Sequence, residues 1–96
     1  MLYTVLAANN YDNSIVMSKL FPTRDAAFHH MVEAFREKLA GCDIDWDIPD
    51  GIANFHREDD GCIGHFDNEG YSITHDDDYN YARIVAVPDF RSDDEI

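Results

Sequence analysis

The chain has 96 residues, 45% of them apolar and 12% aromatic, and a formal net charge of −13 at pH 7. That length fits one domain burying only about 60–65% of its unfolded surface, with no room for a second core, and the apolar content excludes a disordered acidic chain. A field of that sign repels phosphates and so disfavours direct nucleic-acid binding by the protein itself.

Residues 2–8 are rich in strand formers, 9–13 form a cluster of turn residues and 14–21 again read as a strand, which predicts an N-terminal hairpin stopped by Pro22. Thr23 then stands where a helix N-cap belongs, 24–40 continue at helical period, and Gly41 stands at the C-terminal cap. Phe28, Met31, Val32, Phe35 and Leu39 form one apolar stripe, as a helix laid across a sheet requires, while His29, Glu33, Arg36 and Glu37 face solvent.

Beyond Gly41 the text CDIDWDIPDG alternates, with Asp43, Asp45 and Asp47 on one side and Ile44, Trp46 and Ile48 on the other, the period of a half-buried strand. Trp46 shares its side with two isoleucines and is expected in the core. An irregular stretch follows, ending in a polar turn, HREDDG, over 56–61. Residues 62–66 and 71–75 flank Asp67-Asn68-Glu69-Gly70, a hairpin loop whose glycine is expected at positive φ. After the acidic turn Asp76, Asp77, Asp78, residues 79–87 form the last strand, stopped by Pro88.

The order predicts an α+β fold, a single antiparallel sheet with one long helix packed across one face, ββα followed by a β-meander. One domain spans 1–96, with 91–96 expected as a mobile acidic tail. No signal peptide or membrane span is read at the N-terminus, and a cytoplasmic location in a bacterial host is expected. Cys42 and Cys62, with no CxxC spacing, are expected as thiols rather than a disulfide.

The charge is unevenly placed. Residues 1–41 carry four acids and four bases, whereas 42–96 carry sixteen acids against three bases. Acidic runs are commonly solvated surface that maintains solubility, but here they recur in separate clusters and at alternate positions of one predicted strand. Along such a strand Asp43, Asp45 and Asp47 stand about 6.6–6.8 Å apart on one face, close to the contour spacing of phosphates on one nucleic-acid strand. With Asp50, the Glu58-Asp59-Asp60 cluster and Asp76-Asp77-Asp78 they could occupy a groove that Lys and Arg side chains line for nucleic acid. Trp46, Tyr79 and Tyr81 offer aromatic anchoring among those charges.

Other chemistries fit less well. An EF-hand loop starting at Asp43 would have Ile48 where glycine is needed and Asn54 where the bidentate glutamate is needed. HHMVE is not HExxH, and the ligand seeds His29/Glu33 and Cys62/His75 lack the spacing of a zinc site. No GxSxG, phosphate-cradling loop or dinucleotide fingerprint occurs. No catalytic residue, metal or cofactor is therefore assigned, and the chain is read as noncatalytic.

In its length, the LYTVLAANN to SIVMSKLF hairpin, the TRDAAFHHMVEAF helix and the acidic segments CDIDWDIPD and THDDDYN, the chain resembles the small acidic inhibitor proteins of phages and mobile elements, the anti-CRISPR type in particular. The resemblance implies binding to a CRISPR effector and blockage of its DNA-recognition surface, where Arg and Lys face the PAM duplex and the nucleic-acid channel. The expected partner is thus a basic nucleic-acid-binding protein, with no direct nucleic-acid or membrane binding. The alternatives are an acidic antitoxin or immunity protein for a basic nuclease, and a small metal-dependent enzyme using His and Asp.

Overall fold

The computed structural model describes residues 1–11, 13–41, 46, 52, 54–59 and 61–88. Strands β1 (Leu2–Asn9) and β2 (Ser14–Met17) form the first hairpin, helix α1 (Arg24–Ala40) follows, and β3 (Phe55–Asp59), β4 (Cys62–Phe66), β5 (Gly70–His75) and β6 (Asp78–Val87) complete one sheet. All neighbours are antiparallel in the order β2-β1-β6-β5-β4-β3. The last strand of the meander thus returns to pair with the first, and β2 and β3 are the two edges.

The helix begins where Thr23, in extended backbone, accepts a hydrogen bond on Oγ1 from the Ala26 N–H at 3.1 Å. This satisfies one of the N–H groups that a helix start leaves without an intrahelical partner. Asp25 in the first turn and Lys38 in the last both complement the helix dipole. Ala27, Met31, Phe35 and Leu39 are buried; Phe28 and Val32 pack beside them, half-buried. Arg36, expected in solvent, is half-buried.

The inner face of the sheet follows from register. Phe66 faces Tyr71, Tyr71 faces Ala82, and Ala82 faces Ala7, so these four side chains lie in one row beneath the helix. Phe35 descends onto that row, its ring 5.4 Å from Phe55, 5.1 Å from Phe66 and 5.4 Å from Tyr71. Burial pushes the Tyr71 phenol up, with the Glu37 carboxylate adding to the effect. Trp46 is buried against Phe55 at 6.0 Å, as its side of the alternating segment predicts, and the Arg57 guanidinium lies over its ring.

Several sequence expectations need correction. The segment read as a polar turn, 56–61, contains most of β3, because pairing with β4 and the burial of Phe55 outweigh a polar composition that an edge strand tolerates. The meander therefore has four strands, not three. Regular β2 ends at Met17, and beyond it the chain stays joined to β1 through Ser18, bonded to Thr4 and Val5, and through the Tyr3 to Phe21 bridge. Gly70 does not have positive φ; a Cβ there would strike the Ala82 carbonyl oxygen, so close approach of β6 is what calls for glycine. The strand predicted over 43–48 and the tail over 91–96 lie, apart from Trp46, outside the described residues.

Phe35 has no exposed surface and touches three rings from three strands. Phe35→Ala is expected to lower stability by about 3–5 kcal/mol, read from urea denaturation; a loss below about 1 kcal/mol would place the core elsewhere.

Candidate functional site

The β3–β4 turn and the β5–β6 turn lie at the same end of the sheet, because β3 to β6 are successive antiparallel strands. The Asp76 N–H donates to the Gly61 carbonyl at 3.1 Å and locks one turn to the other. Gly61 adopts φ +85° and Asp76 φ +54°, the left-handed conformations that tight turns require. Two acidic clusters seventeen residues apart in sequence thereby become neighbours.

Register gives their arrangement. On the helix side, Asp59 faces Cys62, Cys62 faces His75, and His75 faces Asp78, a row across four strands with a carboxylate at each end. At a strand spacing of about 4.8 Å the two carboxylate positions stand roughly 14 Å apart. Glu58 lies on the opposite face, in the row Glu58, Ile63, Thr74, Tyr79. Asp76 and Asp77 are exposed at the tip, and the Asp76 carboxylate is 3.8 Å from His75 Nε2.

The first hairpin joins this end through Asn10. Its N–H donates to the Tyr79 carbonyl at 3.1 Å, its Oδ1 accepts from the Tyr79 N–H at 2.6 Å, and its Nδ2 donates to the Asp77 carbonyl at 3.0 Å. Asn9 and Asn80 are hydrogen-bonded through their side chains on the same pair of strands. Three turns therefore share one acidic rim, in which main-chain groups and asparagines make the joints and carboxylates stay available to solvent.

Of the residues singled out from sequence, the structure brings together Glu58, Asp59, Asp76, Asp77 and Asp78. Asp43, Asp45, Asp47, Asp50 and Asp60 lie outside the described residues. Tyr79 and Tyr81 are 41% and 37% exposed on the face away from the helix, with ring centroids 5.7 Å apart, so they extend the rim rather than the core. Asn10 and Gly61 join the site through the tertiary fold and not through any charge the sequence displays. The clue for Asn10 is weak, one asparagine among three in a turn, whereas the DDG text at 59–61 does signal a left-handed glycine.

A second polar group sits at the other end of the open face. His65 Nε2 lies 3.3 Å from the Asp67 carboxylate, and Tyr81, Ser72 and Arg83 line the same shallow hollow. Hydrogen bonds from the Glu69 N–H at 2.8 Å and the Gly70 N–H at 3.0 Å, with His65 beside them, hold the Asp67 carboxyl below its ordinary value against a smaller effect of burial. No cluster of three metal-ligating side chains occurs among the described residues, and none of their helices is long and apolar enough to cross a membrane.

No protein-family model, curated protein or solved structure matches the chain.

Two predictions follow from these charges. Because the folded Asp67 carboxyl ionises at lower pH than the unfolded one, its stabilisation is present above about pH 4 and fades as pH falls through the lowered folded value. Asp67→Ala should cost about 1 kcal/mol at pH 7, the low end for a half-exposed charged acceptor, with a deficit that narrows in acid; a pH-independent deficit would assign the effect to packing. Added monovalent salt should raise the melting temperature by screening the crowded carboxylates, mostly by about 0.15 M, where the Debye length is about 8 Å. A melting temperature indifferent to salt would mean that the carboxylates do not repel one another appreciably.

Proposed function

We propose that this chain is a noncatalytic inhibitor that presents a carboxylate surface to the basic, nucleic-acid-binding surface of an effector protein, a CRISPR–Cas nuclease being the type of target its resemblance suggests. The observation that supports this reading is the Asp76 to Gly61 hydrogen bond, which joins separate acidic segments into one rim. A rim of carboxylates with exposed Tyr79 and Tyr81 beside it suits a surface where Arg and Lys otherwise meet phosphates and bases. Effector and inhibitor would associate quickly at low salt, since steering acts on the encounter.

The test replaces Asp76, Asp77 and Asp78 together by Asn, which removes three charges while retaining a residue type that tolerates the left-handed backbone at position 76. Wild-type protein immobilised on resin should capture a nucleic-acid-binding protein from bacterial lysate and release it to DNA or to salt. The triple variant should bind that protein about tenfold more weakly, chiefly through slower association. Unchanged affinity, or simultaneous occupancy of the partner by DNA and this protein, would overturn the reading. Capture of a toxin nuclease rather than a defence effector would redirect it to an immunity protein with the same electrostatics.

A further inference from the structure

The rim uses one end of the sheet and leaves an edge strand of different character. In β2, Ile15, Val16 and Met17 are 70%, 60% and 58% exposed, and Leu20 just beyond is 49% exposed. Edge strands are ordinarily protected by charge, proline, bulges or a covering segment. Within Ser14–Met17 there is neither charge nor proline, and apolar side chains stand on both faces, Val16 on one and Ile15 and Met17 on the other.

Among the described residues no strand pairs with the outer side of β2, and its backbone groups alternate in direction. The Ser18 N–H donates to the Val5 carbonyl at 2.9 Å, so residues of the same parity turn their polar groups to β1. By the alternation of an antiparallel ladder, Ile15 and Met17 turn theirs outward.

We infer that β2 is a self-association edge, whose occupant is β2 of a second copy of this chain, paired antiparallel about a two-fold axis at Val16. Ile15 of each copy then exchanges both backbone hydrogen bonds with Met17 of the other, four bonds in all. Val16 meets its own equivalent in the close, non-hydrogen-bonded position on the helix side. On the open face each Ile15 lies beside the other copy's Met17, and two six-stranded sheets become one.

Charge favours a second copy in this geometry. Residues 13–24 contain no carboxylate and two bases, Lys19 and Arg24, in a chain whose net charge is −13. It is the longest run of the chain without a carboxylate, so strands paired here place no carboxylate of one copy's β2 against the other's. The antiparallel dyad also sends the two acidic rims to opposite ends of the joined sheet. It brings the second copy's Lys19 opposite Asn13, at the hairpin end that Asn10 ties to the first copy's rim. Parallel pairing would place the rims side by side. The inference does not rest on the inhibitor reading, because the edge and the rim share no residues.

Sedimentation equilibrium of the full chain at protein concentrations up to about 1 mM should show reversible growth from 11.0 kDa toward twice that mass. The Ile15→Lys variant should remain at the monomer mass with an unchanged circular dichroism spectrum. A variant that needs no disruption of the edge, Val16→Cys, should form an intermolecular disulfide under mild oxidation, because the dyad brings the two positions to about 4.5 Å between Cα atoms. Wild-type protein treated identically should form none. A chain that stays monomeric at every concentration, a dimer indifferent to Ile15→Lys, or a Val16→Cys variant that does not cross-link beyond wild type would each overturn the proposal. An edge that pairs with a strand of a target protein while the chain remains monomeric would do the same.

Discussion

The contact on which the structure depends is the descent of Phe35 into the three rings of Phe55, Phe66 and Tyr71. It is the point where a single helix meets strands β3, β4 and β5, and a domain of this size has few such contacts to share the load. Anchoring the helix there decides which side of every strand is inside. Once Phe66 and Tyr71 face the helix, the parity of a pleated strand sends Tyr79, Tyr81 and Arg83 to the other face without further instruction. The exposed tyrosines are thus a consequence of the buried ring cluster.

The same parity shapes the acidic end. Carboxylates crowded at turns repel one another, so a fold that gathers them must hold the turns by something other than their charges. Here the holding groups are the Gly61 carbonyl, the Asp76 N–H and the three hydrogen bonds of Asn10. Each is short-ranged and little affected by ionic strength, whereas the repulsion it opposes is screened. Geometry and charge of the rim are therefore set by separate groups. At the other end, Asp67 does the reverse, using its own carboxylate to accept the backbone N–H groups of its loop.

Much of the fold was legible because the strongest signals are periodic and local. The helix stripe through Met31, Phe35 and Leu39, the Thr23 cap and the hairpins around Asn10 and Asn68 all express spacing or turn chemistry within a few residues. The β3 strand was not legible, since only Phe55 of its five residues is buried and the rest look like a loop until β4 lies beside them. Gly70 illustrates a second limit. Its presence in the turn was readable, but its reason, the nearness of the Ala82 carbonyl, belongs to a strand twelve residues away. For the site, the acidic clusters were visible as composition, while their meeting through Gly61 and Asn10 is a tertiary fact. The alternating aspartates, the most conspicuous pattern in the text, fall where the structure describes only Trp46 among residues 42–51.

That main-chain groups and Asn10 hold the rim bears on how such a protein can change over generations. Positions 59, 77 and 78 can exchange side chains without loosening the joints between turns, because the Asp76 to Gly61 bond and the three bonds of Asn10 use none of their carboxylates. Position 76 is more constrained: its left-handed backbone favours Asp, Asn or Gly. A lineage carrying this scaffold could therefore drift in surface chemistry residue by residue, while the turns that carry the varying positions stay in place.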